Sequence, residues 1–414
     1  AISLGDLDLA VGEGNISARG DIIPDMKLEG TLSDIVIQEV VSFWPDVDPS
    51  AFEGKFSSSF QGEGTWENPN ISGEFTFTGA RIVNLPFNKA EARWRYHEDR
   101  LDLADLDASV LGFPLKGNMA FVFRDAPARL LLDLEGSKVD LSSVRQISPA
   151  FKDLDGVIDR VKLDLSGMVS KLDGKIELEA GAIKWRAYGV NDSSVILSIS
   201  KGDMQIQGKT LFNTAPVSFQ GSINSFITEP SIDLSGNVRN LEISSLQSVS
   251  PQLEKMAIQG KVNADVRAKG KPHDMAISGK AWSDSLSSMK EKFGKTSLSF
   301  TYGKDRFSFS DLDLTWRGAD ISGQGSVSAI STEKKILDAQ FNARELDSSF
   351  FSGFYPGIRD YAMEGKVSAQ ILLKGDPGSP VINARASSGS IRILDNYAFR
   401  DASISTELKG LPSG

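Results

Sequence analysis

From Phe56 onward the chain alternates apolar and polar residues stretch after stretch: Phe56, Ser58 and Phe60, then Ile71, Gly73, Phe75 and Phe77, then Ala90, Ala92 and Trp94. A period of two predicts β-strands with one apolar and one polar face. Leu101 and Leu103 continue the pattern, the phase slips by one residue at Asp105, and it resumes with Leu106, Ala108 and Val110. The same slip separates Phe307 and Phe309 from Leu312, Leu314 and Trp316, with Asp311 between them. An extra residue that leaves the apolar side facing one way predicts a bulge or sharp bend at each aspartate. Leu115, Met119, Phe121 and Phe123 lead into Leu130, Leu132 and Leu134, and glycine and proline punctuate the gaps.

The strands recur in register. Gly30, Gly54, Gly64, Gly73, Asp105, Leu106, Asp107 and Gly117 meet Gly236, Gly260, Gly270, Gly279, Asp311, Leu312, Asp313 and Gly323 at a constant offset of 206. Pro45, Pro149, Pro251 and Pro356 follow one another at steps of 104, 102 and 105, so that offset is a double step. About four units of roughly 104 residues with about six strands each predict a repeat array. Its parts are a partial repeat over 1–30, repeats over 31–136, 137–236 and 237–343, and a partial fourth over 344–414. One short helix ending at proline is predicted in each unit, over Ile37 to Trp44, Leu141 to Ile147, Ile243 to Val249 and Leu346 to Phe354. Leu286, Met289 and Phe293 suggest a further helical patch in the third unit.

Helices so few cannot cover a sheet, and no polar linker separates one unit from the next. The expected fold is therefore all-β: an elongated, continuous, curled antiparallel sheet with one short helix per repeat. About 22 to 24 strands at ~4.8 Å spacing would extend on the order of 110 Å. The apolar side of such a sheet exceeds the few hundred Å² that soluble monomers leave open, so it is expected to be a binding groove. Acyl chains suit it, since each buried CH₂ contributes roughly 0.8 kcal/mol. The expected lipid-binding residues are Phe75, Phe77, Leu101, Leu103, Leu132, Leu134, Leu163, Leu165, Ile176, Leu178, Ile232, Leu234, Phe307, Phe309 and Phe341. Small residues on the same side (Ser58, Gly62, Gly73, Ala264, Ala268 and Ala369) are expected to leave room for the chains. An array of ordinary filled β-sandwiches is the rival arrangement.

Composition narrows the chemistry. The 414 residues are 40% hydrophobic, without an apolar run near the roughly 18 residues of a membrane span. A net charge of −10, from 45 Lys and Arg against 55 Asp and Glu, argues against nucleic acid as a partner. Zero cysteines and two histidines exclude disulfides, thiolate metal sites and histidine-rich metal sites. Gly12/Gly14, Gly62/Gly64 and Gly323/Gly325 read as strand ends, because none opens a helix or precedes Gly-Lys-Ser/Thr. Asp102, Asp105, Asp107, Asp311 and Asp313 read as solvated scaffold, and His97 and His273 as turn residues. No nucleophile with a base in context is found, so neither catalysis nor a cofactor is expected. Both chain ends read as partial strands, the pattern of a segment of something longer.

The run Gly375-Asp376-Pro377-Gly378-Ser379-Pro380-Val381-Ile382-Asn383-Ala384-Arg385-Ala386, followed by Gly389-Ser390-Ile391-Arg392-Ile393, resembles a recurrent phrase of the AsmA-like and TamB-like proteins of Gram-negative envelopes. Gly64 to Gly79 and Gly270 to Gly279 echo it, whereas Gly167 to Gly174 lacks the prolines. The resemblance implies a β-groove in the periplasm and an inner-membrane anchor outside this segment. It further implies phospholipid carried toward the outer membrane and outer-membrane protein partners. Assembly of outer-membrane proteins through exposed strand edges is the alternative that the same resemblance leaves open.

Overall fold

The computed structural model describes residues 2–41, 50, 52–82, 85–110, 112–124, 128–142, 152–168, 171–185, 188–225, 229–246, 257–288, 291–332, 334–348, 363–393 and 397–408. The expected all-β class holds: the 25 strands belong to one antiparallel sheet, with almost no helix beside them. Two compact units divide the chain, Ala1–Leu211 with Asn224–Ile227, and Phe212–Ile223 with Thr228–Gly414.

The first unit contains β1 (Ile2–Val11), β2 (Gly14–Ile23), β3 (Met26–Val36), β4 (Phe52–Gly64), β5 (Pro69–Ile82), β6 (Leu85–His97) and β7 (Arg100–Val110). After them come β8 (Phe113–Val122), β9 (Arg129–Asp140), β10 (Leu154–Met168), β11 (Lys171–Trp185), β12 (Tyr188–Ser200) and β13 (Asp203–Phe212), the last ending at the unit's border. From β1 to β12 every strand pairs antiparallel with its successor. Short connections make this possible. Between β6 and β7 the two residues Glu98 and Asp99 have φ of 46° and 57°, the left-handed pair that matches a two-residue hairpin to strand twist.

The second unit contains β14 (Ala215–Asn224), β15 (Ser231–Glu242), β16 (Gln259–Lys271), β17 (Asp274–Ser283), β18 (Leu286–Ser288) and β19 (Glu291–Gly303). It continues with β20 (Arg306–Trp316), β21 (Ala319–Ser328), β22 (Ile336–Asp347), β23 (Met363–Gly375), β24 (Val381–Ile393) and β25 (Tyr397–Leu408). Sequential antiparallel pairing again runs from β15 to β25, except that β17 and β18 share one position between β16 and β19.

Both phase slips are bulges. Pairing shifts register between Leu103 and Leu106 and between Phe309 and Leu312, and the intervening Asp105 and Asp311 are left-handed, with φ of 53° and 50°. Related left-handed residues stand at Asp34, Lys138, Asn240 and Glu345, spaced by the same 104, 102 and 105 residues as the prolines. A bulge frees a backbone N–H, and a polar side chain of the next strand takes it up: Asp34 N–H donates to Ser57 Oγ at 3.0 Å, Asn240 N–H to Asn263 Oδ1 at 3.0 Å.

One helix per repeat does not hold among the described residues. A single five-residue α-helix, α1 (Ile37–Val41), and a 3₁₀ turn at Ile243–Leu246 are present. At the other two positions the strands run on to Asp140 and Asp347 and are followed by 3₁₀ residues at Leu141–Ser142 and Ser348, and the remainder of all four predicted helices lies outside the described residues. The helical patch at Leu286 is also wrong: Leu286–Ser288 is β18, paired with both β16 and β19. Met289 lies outside the described residues, but Leu286 and Phe293 are paired with one another as strand residues, a tertiary influence that local spacing does not register.

Candidate functional site

Pairing assembles the alternating apolar residues into rows that cross the strands. In the first unit one row reads Leu7, Ala18, Gly30, Phe60, Gly73, Trp94, Leu103, Met119, Leu132, Leu165, Gly174 and Ile199, one residue from each of β1 to β12. Beside it run Ile35, Phe56, Phe77, Ala90, Ala108, Leu115, Gly136, Val161, Leu178 and Val195. Leu106, Gly117, Leu134, Leu163, Ile176 and Leu197 lie between those two, and Ile71, Tyr96, Leu101, Phe121 and Leu130 form a further row. No charged side chain stands in them. Twelve strands at ~4.8 Å and four rows at ~7 Å give a face on the order of 1,000 Å².

The second unit repeats the arrangement. Gly236, Val266, Gly279, Phe300, Phe309, Gly325, Ala339, Leu373, Ile382 and Leu408 form one row. Leu234, Ala268, Ile277, Tyr302, Phe307, Val327 and Leu337 form another. Phe341 sits opposite Gly323, with its ring 5.9 Å from that of Phe309, and Ile232 opposite Gly270.

All fifteen predicted residues thus fall on the apolar side of their own unit: Phe75, Phe77, Leu101, Leu103, Leu132, Leu134, Leu163, Leu165, Ile176 and Leu178 in the first, and Ile232, Leu234, Phe307, Phe309 and Phe341 in the second. Leu103, Leu134 and Leu165 are buried and the other twelve half-buried. Their packing is sideways. The main apolar cluster consists of Ala90, Ala92, Leu103, Leu106, Ala108 and Leu134, with Phe75, Phe77, Trp94 and Met119 against it, all from β5 to β9 of one sheet. A filled sandwich would bury many large side chains completely, yet among the described residues Ile35 is the one apolar side chain of this kind.

The expected lipid-binding set left out the rest of these rows, notably Trp94, Leu106, Met119, Val161 and Phe300, although the same alternation marks them. Other glycines of these rows, which that expectation did not name, lie under rings. A Cβ at Gly30 would stand 2.5 Å from the Phe60 ring, at Gly279 2.8 Å from Phe300, and at Gly323 2.7 Å from Phe341. Rings lying over glycines occupy that space and leave a level apolar surface. Gly73 backs onto the Ser59 carbonyl oxygen, which a Cβ would meet at 1.8 Å, whereas Gly62 has its nearest neighbours at 3.6 Å. The polar atoms of this side are internally satisfied: Trp94 Nε1 donates to Ser58 Oγ at 2.9 Å, and Ser58 Oγ to the Glu74 carbonyl at 2.8 Å. Burial pushes the Tyr96 phenol up from its ordinary value, and the nearby Asp99 carboxylate adds to the shift.

A hollow of about 910 Å³ lies on the opposite, polar side of β1 to β7, lined by Arg19, Glu29, Gln61, Ser72, Arg93 and Arg95 among others. Its cations are already matched: Arg19 pairs with Glu29, Arg93 with Asp105, and Arg95 Nε donates to Asn70 Oδ1 at 2.9 Å. Asp102 accepts from Arg100 at 2.7 Å and faces His97 at 3.1 Å, and Asp107 pairs with Lys116 at 2.8 Å. His97 ends β6 at its hairpin and His273 lies in the turn after β16. Gly12 is likewise in a turn, but Gly323 and Gly325 are interior to β21, where the expectation was a strand end. Among the described residues no acidic or histidine group is arranged to hold a metal ion. No family model, curated protein or solved structure matches this chain.

Proposed function

We propose that this chain is a lipid-transfer segment that carries phospholipid acyl chains along its apolar face, with headgroups left in water and no catalysis. The observation that supports this reading is the charge-free set of rows, one of them unbroken from β1 to β12, recurring across β15 to β25, with most of the large side chains in them half-buried. A face on the order of 1,000 Å² exceeds what soluble monomers leave open, and apolar ligands are the guests that remove it from water. Location in the periplasm, an inner-membrane anchor and outer-membrane protein partners follow from the envelope-family resemblance, which makes the two membranes donor and acceptor. The test is mass spectrometry of the purified chain for bound phospholipid, together with transfer of labelled phospholipid between two vesicle populations. Phospholipid bound in the parent chain and transfer accelerated over vesicles alone are expected; a parent chain free of lipid and inert in transfer refutes the reading.

A further inference from the structure

In each unit the strand ends give the apolar face two long edges, and the two differ. The left-handed bulge residues Asp34, Lys138, Asn240 and Glu345 each stand two residues before their strands end, at Val36, Asp140, Glu242 and Asp347. A bulge bends the strand there, and the next residue is a buried aliphatic: Ile35, Val139, Leu241 and Leu346 are 2%, 5%, 8% and 5% exposed. Each pairs with another apolar residue, in the same order Phe56, Ile158, Val262 and Val367. Helical residues then begin at Ile37, Leu141, Ile243 and Ser348 in place of a tight hairpin, and Ile37, Leu141 and Ser348 are buried as well. Along this bulged edge the apolar side of each unit is packed shut.

The opposite ends of the strands form a hairpin edge. Its wholly described turns, among them 65–68 after β4, 98–99 after β6, 304–305 after β19 and 376–380 after β23, have two to five residues, too few to fold over the face. Apolar side chains stand open beside them: Trp66 is 68% exposed, Phe123 42% and Tyr302 43%. Carboxylates near one turn hold the next. Asp173 Oδ1 accepts the Lys201 backbone N–H at 2.7 Å, Asp203 Oδ1 the Ser225 N–H at 3.0 Å, and Asp305 Oδ1 the Ser331 N–H at 2.7 Å. Arg100, Arg124 and Lys271 of this edge are paired with Asp102, Glu98 and Glu229. Lys171, Lys201, Lys304, Lys335 and Lys374 are exposed there, and their ammonium groups have no carboxylate partner among the described residues.

From Arg129 to Lys138 strand β9 spans ~30 Å at ~3.3 Å per residue, about twice the ~15 Å that acyl chains occupy in one leaflet of a ~30 Å hydrocarbon core. That width by itself admits two lipids tail to tail, with headgroups at both edges. The buried aliphatics of the bulged edge leave no exit for a headgroup there. We propose, resting on the lipid-transfer reading above, that bound phospholipids all lie one way, with acyl chains pointing toward the bulged edge and phosphates at the hairpin edge. The phosphates pair with Lys171 and Lys201 in the first unit and with Lys304, Lys335 and Lys374 in the second. Ammonium groups without carboxylate partners suit a phosphodiester, and the carboxylates that might repel it are engaged with backbone N–H groups.

The cysteine-free chain accepts a single fluorophore at Ser379→Cys, in a hairpin-edge turn, or at Asp347→Cys, exposed at the bulged edge of the same unit. Phospholipid with a nitroxide on its headgroup is expected to quench the first strongly and the second little, and phospholipid with the nitroxide at the end of an acyl chain to lose that preference. Lys304→Gln, Lys335→Gln and Lys374→Gln together are expected to lower phospholipid bound per chain roughly fivefold and to leave uptake of diacylglycerol, which has no phosphate, unchanged. Headgroup quenching that is equal at the two positions, or stronger at Asp347→Cys, overturns the orientation and leaves the transfer reading standing. An equal loss of diacylglycerol, or displacement of phospholipid by inorganic phosphate, overturns the lysine pairing. A parent chain without lipid removes the transfer reading and this inference with it.

Discussion

Replacing Phe309 with aspartate places a carboxylate in the middle of an apolar row, between Phe300 and Gly325, and removes the ring stacked on Phe341 at 5.9 Å. Loss of the ring pair costs about 0.5–1.5 kcal/mol and loss of a half-buried apolar side chain about 1 kcal/mol more, so the fold is weakened by roughly 2 kcal/mol and survives. The ligand suffers more than the fold. An acyl chain lying across the new carboxylate must strip its water or force it to take up a proton, a penalty of roughly 2.5–3.5 kcal/mol for aspartate in a hydrocarbon setting. Occupancy across that row is expected to fall by roughly 50-fold or more. Phe309→Leu shares the lost stacking but keeps the wall apolar, and Ser308→Asp puts the same charge on the neighbouring residue, which faces the other side. The assay is phospholipid bound per chain, by mass spectrometry, in samples whose far-ultraviolet circular dichroism and thermal melts show intact folds. Retention of lipid by the leucine variant and by Ser308→Asp, with loss in Phe309→Asp, is expected; equal lipid content in Phe309→Asp and Ser308→Asp refutes the assignment of the lipid to this side.

Asp311→Gly should leave the melting temperature nearly unchanged, while Asp311→Val should cost about 1–2 kcal/mol in denaturant unfolding, because the bulge residue is left-handed and a β-branched side chain resists that conformation. Gly73→Ala should destabilise by about 1–3 kcal/mol, its Cβ meeting the Ser59 carbonyl oxygen, whereas Gly389→Ala, with open space around it, should be neutral or slightly stabilising in the same assay. Trp94→Phe removes the donor to Ser58 and should cost about 1 kcal/mol, read by chemical denaturation against a Ser58→Ala partner in a double-mutant cycle. The Arg317 guanidinium, and after it the Trp316 indole N–H, hold the Glu291 carboxyl below its ordinary value. A depressed carboxyl contributes stability that is full above its unfolded-state value and lost as pH falls through the lower folded value. The difference in melting temperature between the parent and Glu291→Gln should therefore be constant near neutrality and shrink under acid; a difference that grows as pH falls contradicts the pairing.

Much of this fold is legible in local pattern. Alternation at Phe75, Phe77, Leu101 and Leu103 assigned both strand and side, because successive side chains on a pleated backbone must point to opposite faces. The phase slip at Asp105 announced its bulge for the same reason, since an inserted residue is the means by which a strand keeps its apolar side after losing step. The constant offset of 206 carried both conclusions to the second unit. What local pattern could not supply was neighbourhood. That Phe60 lies over Gly30, that Trp94 reaches Ser58, and that Leu286–Ser288 is held as a strand between β16 and β19 are consequences of register between segments far apart in sequence. The tertiary structure alone decided that a residue repeated three times, as Leu7, Leu106 and Leu312, is exposed in one setting and sheltered in another, because in a single-layered sheet shelter comes from the strand alongside.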